Sequence, residues 1–330
     1  MRNRLDKLKM ASAKKVSRVD EVSTTFFDEQ TRFPLVVKPV TKGFNLDSWI
    51  LSNREKFEKN LHTYGAILCR GFDINTVEKF QDLMDNFPND LLEYKMRSSP
   101  RFALTDNVYV STTYPEDQSI HMHSESSYAP NHPERITFCC ITQPPYRGET
   151  PIADNRLILK YLSEELKTKF LNKGIQYRRN LNGRLGLPWQ EVFQTEDKKQ
   201  VEKECYNSEM NFKWTGEDEL VLTWVKKAIW EHPVTNEQIW FNHGLFFNKH
   251  MQHEDILNSI NSDDELPNNT FFGDGTEISR GEVEELKTAY KKATTEFAWE
   301  KGDVLFLDNM LFSHGRNPYK GERKIIVSIS

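Results

Sequence analysis

The chain predicts an α+β fold with a strand-built core, and three observations point to it. Short runs rich in β-branched and aromatic residues recur at 66–70, 136–141, 297–299, 304–307 and 324–329, far apart along the chain. Stretches with helical periodicity fall early and in the long intervals between these runs. No internal repeat or low-complexity linker interrupts residues 31–330, so one domain is expected there, which at a total of 330 residues can bury a sizeable core.

Taken in order, residues 1–30 stand apart. Met1 to Asp20 hold seven Lys or Arg against two Asp with little apolar periodicity, so 1–30 reads as a basic, flexible arm, a solvated tail in preference to a docking segment. Residues 47–64 set Trp49, Ile50, Phe57 and Leu61 on one helical stripe. Asn75-Thr76-Val77-Glu78 has the form of a capping box opening a second helix. Residues 156–173 predict a third helix, and Ser279-Arg280-Gly281-Glu282 caps a fourth that runs toward Thr294. Cys139 and Cys140 are adjacent within a strand and so point to opposite faces.

Composition excludes several classes. A formal net charge of −5 offers no attraction to nucleic acid or an anionic membrane. No apolar run approaches the ~20 residues that span a bilayer, and no signal peptide is visible. The cysteines Cys69, Cys139, Cys140 and Cys205 show no zinc-ribbon spacing. A cytoplasmic protein with reduced cysteines is the expectation; its oligomeric state is left open.

The chemistry is concentrated in His123-Ser124-Glu125 and in His314, which follows Glu125 by 189 residues. On a strand, His123 and Glu125 share a face, and an imidazole from a distant strand completes two nitrogens and one carboxylate about a single metal. This ligand set suits non-heme Fe(II), with the opposite face open to O2 and a chelating cosubstrate. By itself His-x-Glu is common and weakly specific. Thr150 lies 27 residues beyond His123 within Gly148-Glu149-Thr150-Pro151, and Arg323 lies nine beyond His314.

With these, the chain resembles the Fe(II)/2-oxoglutarate dioxygenases of the taurine dioxygenase (TauD/TfdA) and clavaminate synthase-like superfamily, nearest its SyrP-like branch. The likeness rests on Gly65 to Phe72, Tyr114 to Gln118, the His123 triplet, Gln143 to Asp154, Trp240-Phe241-Asn242-His243, Phe272 to Gly275 and Gly302 to Val327. It implies a double-stranded β-helix, or jelly roll, with flanking helices and a large insertion between the ligand motifs. It further implies that His123, Glu125 and His314 hold Fe(II), that Arg323 grips the distal carboxylate of 2-oxoglutarate, and that the Thr150 hydroxyl supports it. Arg323 and Lys324 point to opposite faces of a strand, so only one reaches the site, and the planar fork of Arg323 is preferred. Glu125 in place of an Asp moves the likeness toward clavaminate synthase-like enzymes, and a carboxylate at this position disfavours halogenation.

The resemblance implies oxygenation, most simply hydroxylation, of an amino acid or derivative, free or tethered to a carrier protein, in secondary metabolism. Desaturation, epoxidation and cyclisation use the same ligands. A non-catalytic binding protein on the same fold would keep the core and lose a ligand or the Arg. His121, Asn242 and Arg316 are candidate substrate contacts: His121 would share the ligand face, and Arg316 either anchors a substrate carboxylate or pins the loop after His314. Asp303, Asp308 and Asn309 are equally well read as supports of the site or as turn residues. Trp240, Phe241 and Phe271 read as core, and His243, His250 and His253 as core or surface histidines.

Overall fold

In the computed structural model, residues 21–330 are described except 88–90, 93–95, 97–101, 106 and 113. The basic stretch 1–20 lies outside the described residues. Residues 21–30 do not continue it as expected: Val22–Phe26 is a strand, β1, paired antiparallel with β2, Leu35–Pro39. Its Val, Thr and Phe suit a pleated edge better than a solvated tail.

The stripe at 47–64 forms two helices, α1 (Leu46–Ser52) and α2 (Arg54–Tyr64). Asn53 ends the first by turning its amide back on the Trp49 carbonyl at 2.9 Å. β3 (Ala66–Cys69) follows, then α3 (Val77–Asp85). The cap of α3 is Thr76 and not Asn75: Thr76 Oγ1 accepts the Lys79 N–H at 3.2 Å, while Asn75 donates to Asp73. Next come β4 (Tyr109–Val110), β5 (Ile120–His123), β6 (Arg135–Thr142), β7 (Tyr146–Arg147) and β8 (Ile152–Asp154). The helix expected at 156–173 is again two, α4 (Asn155–Tyr161) and α5 (Glu164–Lys173), because Ser163 caps the second by accepting the Leu166 N–H.

The insertion between the ligand motifs carries β9 (Ile175–Leu181), α6 (Trp189–Phe193), α7 (Lys198–Asn207), β10 (Asn211–Trp214), β11 (Leu220–Lys226), β12 (Ile229–Glu231), β13 (Gln238–Trp240), α8 (Gly244–Phe247), α9 (Glu254–Asn258), β14 (Asn268–Phe272) and α10 (Arg280–Ala293). Ser279 and Glu282 form the predicted capping box on α10. The chain closes with β15 (Thr294–Thr295), β16 (Val304–Asp308), β17 (Phe312–Arg316), β18 (Tyr319–Lys320) and β19 (Lys324–Ile329). Residues 297–299 are not a strand: Phe297 and Trp299 are buried by their rings, without a ladder partner.

Two sheets make the predicted jelly roll. The larger runs β1-β2-β3-β16-β6-β19-β4 and the smaller β15-β8-β17-β5. Strand alternation sorts β16 between two cores. Leu305 and Leu307 join Ile152, Phe312 and Phe138 between the sheets, while Val304 and Phe306 pack with Phe57, Leu61 and Phe80 of α2 and α3 behind. Cys139 and Cys140 fall on opposite sides, as adjacency requires, and all four cysteines are buried and unpaired. The insertion folds a third sheet, β10-β11-β9-β14, with its own apolar cluster. No described helix is long and apolar enough to cross a membrane.

Candidate metal centre

The smaller sheet places the two imidazoles. His123, the last residue of β5, lies directly opposite His314 of β17, and their ring centroids are 4.4 Å apart. Glu125 lies beyond the end of the strand, in the turn that follows, and not on the strand as expected. The turn nonetheless swings its Oε2 to 3.9 Å from His123 Nε2 and 3.8 Å from His314 Nε2. One ion can touch all three groups, whose ligand atoms lie within 4.8 Å of one another. His123 Nδ1 sits 2.9 Å from the His121 carbonyl, so it carries the proton and the lone pair of the ring lies on Nε2, the nitrogen that faces Glu125. Two neutral imidazoles, one carboxylate and open positions are the donor set that non-heme Fe(II) takes, so the residues present fit that metal.

Buried polar contacts tie these ligands together. Asn155 Nδ2 donates to Ser124 Oγ at 3.1 Å, Ser313 Oγ donates to Asn155 Oδ1 at 2.7 Å, and the two hydroxyls lie 3.1 Å apart. Ser124 separates His123 from Glu125 and Ser313 precedes His314, so the triangle joins the two ligand segments. Asn309 receives the Glu125 N–H at 2.8 Å and donates to the Glu125 carbonyl at 2.9 Å. Of these, only Asn309 stood out in the sequence, as one of two equal readings. Nothing local marks Ser124, Asn155 or Ser313. His243 lies buried beside His123, ring centroids 5.2 Å apart, and burial holds it well below the usual imidazole range, a neutral wall of the site.

Arg323 lies just ahead of β19 and is half-buried. Its Nε donates to the Gly148 carbonyl at 2.9 Å and its Nη2 to Thr150 Oγ1 at 3.3 Å; Trp299 Nε1 donates to the same hydroxyl at 3.1 Å. Burial and the neighbouring Arg316 push the Arg323 guanidinium down to about 10, and no carboxylate pairs with it among the described residues. Gly148 makes room: it has φ 78°, and a Cβ there would meet Tyr319 Cβ at 2.8 Å, Pro144 Cγ at 2.9 Å and Arg323 Cδ at 3.2 Å. Lys324 opens β19 within electrostatic reach of Glu78 on α3, away from Arg323. Ile152 pairs with His314, and the Gly315 to Pro151 and Asn317 to Glu149 hydrogen bonds continue the register. Thr150 therefore shares the His314 face, two residues or roughly 6.5 Å along the strand.

The other candidates have different uses. His121 is exposed and falls within the register shift between the His314–His123 and Arg316–Ile120 pairs. Its ring lies toward the Met251 backbone and Lys287 and is outside the ligand cluster. Asn242 is spent on structure, donating to the Ala228 carbonyl and receiving the Gly244 N–H, both at 2.9 Å. Arg316 donates to the carbonyls of Tyr114, Pro115 and Gln118 and so pins that loop. Both side chains are engaged with backbone groups: Asn242 through its amide oxygen and nitrogen, and Arg316 in the loop-pinning way that was the other reading of it. Asp303 takes a two-pronged hydrogen bond from Arg70 at 2.9 and 2.7 Å.

A second cluster of ligand-type residues, His62, His232 and Asp308, gathers at the end of β16. His232 Nδ1 accepts the Val234 and Thr235 N–H groups at 3.3 and 3.1 Å, so its Nε2 carries the proton and donates to Asp308 Oδ2 at 3.1 Å. That nitrogen has no lone pair for a metal. The group is a hydrogen-bonded bracket.

A jelly roll with two histidines on its smaller sheet, a glutamate in the turn beside them and a half-buried arginine further along defines an Fe(II)- and 2-oxoglutarate-dependent dioxygenase. Residues 31–329 match the taurine catabolism dioxygenase TauD, TfdA family, and the chain belongs to it. It is 37% identical over 297 residues to the dapdiamide synthesis protein DdaC of Enterobacter agglomerans, covering 89% of this chain and 90% of that one. It is 26% identical over 320 residues to a clavaminate synthase-like protein of Arabidopsis thaliana, covering 91% and 94%. PvcB of Pseudomonas aeruginosa shares the fold with a TM-score of 0.56 at 14% identity, covering 94% of this chain and 91% of that one.

Proposed function

We propose that the protein hydroxylates an unactivated C–H bond of an amino acid or amino-acid derivative in a secondary-metabolic pathway. The observation that carries the cosubstrate assignment is Arg323: a half-buried guanidinium that pairs with no carboxylate among the described residues, hydrogen-bonded to Thr150 on the His314 face. A five-carbon 2-oxo dicarboxylate chelating a metal at the triad would turn its far carboxylate to that cation, and a two-pronged charge-assisted hydrogen bond would hold it there. Bound iron and 2-oxoglutarate supply the oxygen chemistry. The protein residues hold and orient: His123, Glu125 and His314 fix the metal, Arg323 and Thr150 the cosubstrate, and the wall of His243 and Phe246 against His123 excludes water.

The substrate class rests on the likeness to DdaC, a dapdiamide synthesis protein, over nine-tenths of both chains. A SyrP-like placement, a cytoplasmic site of action and a carrier-tethered substrate belong to the same proposal. The test is aerobic incubation with Fe(II), 2-oxoglutarate and a panel of free amino acids, their amides and carrier-bound thioesters. Mass spectrometry should find a product heavier by one oxygen, with matching succinate. A product lighter by two hydrogens would replace hydroxylation with desaturation. If no amino-acid derivative stimulates succinate release, the substrate class is rejected.

A further inference from the structure

We propose that Asn309 is a positioning residue for the metal: its carboxamide acts as a surrogate peptide group that holds Glu125 over the imidazole pair before any ion arrives. The need arises from the turn. β5 ends at His123, so no strand ladder fixes the next two residues. Ser126 adopts φ 52°, in the left-handed region that a non-glycine residue avoids unless its surroundings impose it. Glu125 is itself buried, and its backbone N–H and carbonyl need partners.

The Asn309 side chain supplies both. Its Oδ1 accepts the Glu125 N–H at 2.8 Å, and its Nδ2 donates to the Glu125 carbonyl at 2.9 Å and to the Pro133 carbonyl at 2.8 Å. This is the two-way exchange of a ladder pair, made by a side chain that is fully buried. An aspartate could not replace it, since two carbonyl oxygens would then face a carboxylate oxygen.

Asn309 is in turn held firmly. It lies in the connection between β16 and β17, where Asp308 Oδ1 accepts the Met310 and Leu311 N–H groups at 3.0 Å each and Asp308 Oδ2 is gripped by His232 and His62. The same connection leads into β17 and His314. One connection between the two sheets therefore sets two ligands, His314 through the chain and Glu125 through Asn309.

The inference rests on the metal assignment, which Co(II) titration of the metal-free wild-type protein establishes separately: failure to bind one Co(II) per chain would sink that assignment, whatever Asn309 does. Given wild-type binding, Asn309→Asp and Asn309→Ser should each weaken Co(II) about 10- to 100-fold, the range typical when a group that orients a ligand is lost. The cobalt absorption bands should shift as Glu125 loosens. A purely structural role would lower the unfolding temperature while leaving Co(II) affinity and spectrum unchanged, and that result overturns the proposal. Should neither variant fold, hydrogen exchange on the metal-free wild type decides it: the Glu125 amide should be strongly protected, and rapid exchange there refutes a preformed clamp.

Discussion

His123 and His314 are cross-strand partners, placed directly opposite each other in the antiparallel pair of β5 and β17. The strand pairing by itself brings the imidazoles side by side, so the nitrogen half of the site is set by the sheet. Replacing His123, Glu125 or His314 by Ala should leave a folded protein that has lost Fe(II) binding and turnover. Anaerobic calorimetry with Fe(II) beside an aerobic succinate assay checks this, and wild-type turnover in any one variant would remove that residue from the ligand set.

Arg323 should dominate cosubstrate affinity. Arg323→Ala removes one partner of a buried charge-assisted contact, worth ~2–5 kcal/mol, or tens-fold or more in 2-oxoglutarate concentration. Thr150→Val should cost roughly 1 kcal/mol, the scale of one neutral hydrogen bond, and Lys324→Ala much less because it lies toward Glu78. Half-saturation by 2-oxoglutarate in the three variants gives the ranking, and a larger effect from Lys324 would reverse the assignment.

Gly148→Ala should act on the same contact without touching a charge. The added methyl collides with Tyr319 and Pro144 and presses on the Arg323 stem, at a positive φ that alanine disfavours. The expected result is raised half-saturation for 2-oxoglutarate with Fe(II) affinity retained. Equal loss of both would mean that the collision spreads through the small sheet.

His121→Ala should keep one metal ion per chain, since its ring lies outside the cluster and only its carbonyl serves His123. Metal analysis of the purified variant tests this, and loss of the ion would make His121 a ligand.

Stability should respond to acid through Asp308. Burial pushes this carboxyl up, but the hydrogen bonds from His232 and His62 outweigh it and hold it at about 2, below its ordinary 3.8. The stabilisation is therefore full above about 4 and is lost as pH falls toward about 2, an effect of about 2 kcal/mol. His62 is raised by the same hydrogen bond, so its share is present below 6.5 and lost as pH rises through its raised value. Asp308→Asn should be less stable near neutrality and flatter between pH 4 and 2 in chemical denaturation. An unchanged acid limb would show that Asp308 is not the titrating group.

What the sequence by itself determined is what depends on neighbours along the chain or on residue type. The three candidate metal ligands were legible because only certain side chains suit that metal and two of them lie within three residues. The Ser279–Glu282 capping box and the opposite faces of Cys139 and Cys140 followed from local geometry alone. Tertiary structure decided the rest. Asn309 and Glu125 are 184 residues apart, and Arg316 reaches carbonyls 198 to 202 residues away, so no local pattern reports either contact. The breaks at Asn53 and Ser163 depend on capping hydrogen bonds that compete with a continuous apolar stripe. Asn242 read as a substrate contact, and Arg316 as either that or a loop pin, because a sequence shows which groups can bond but not which backbone oxygens and N–H groups they meet in the fold.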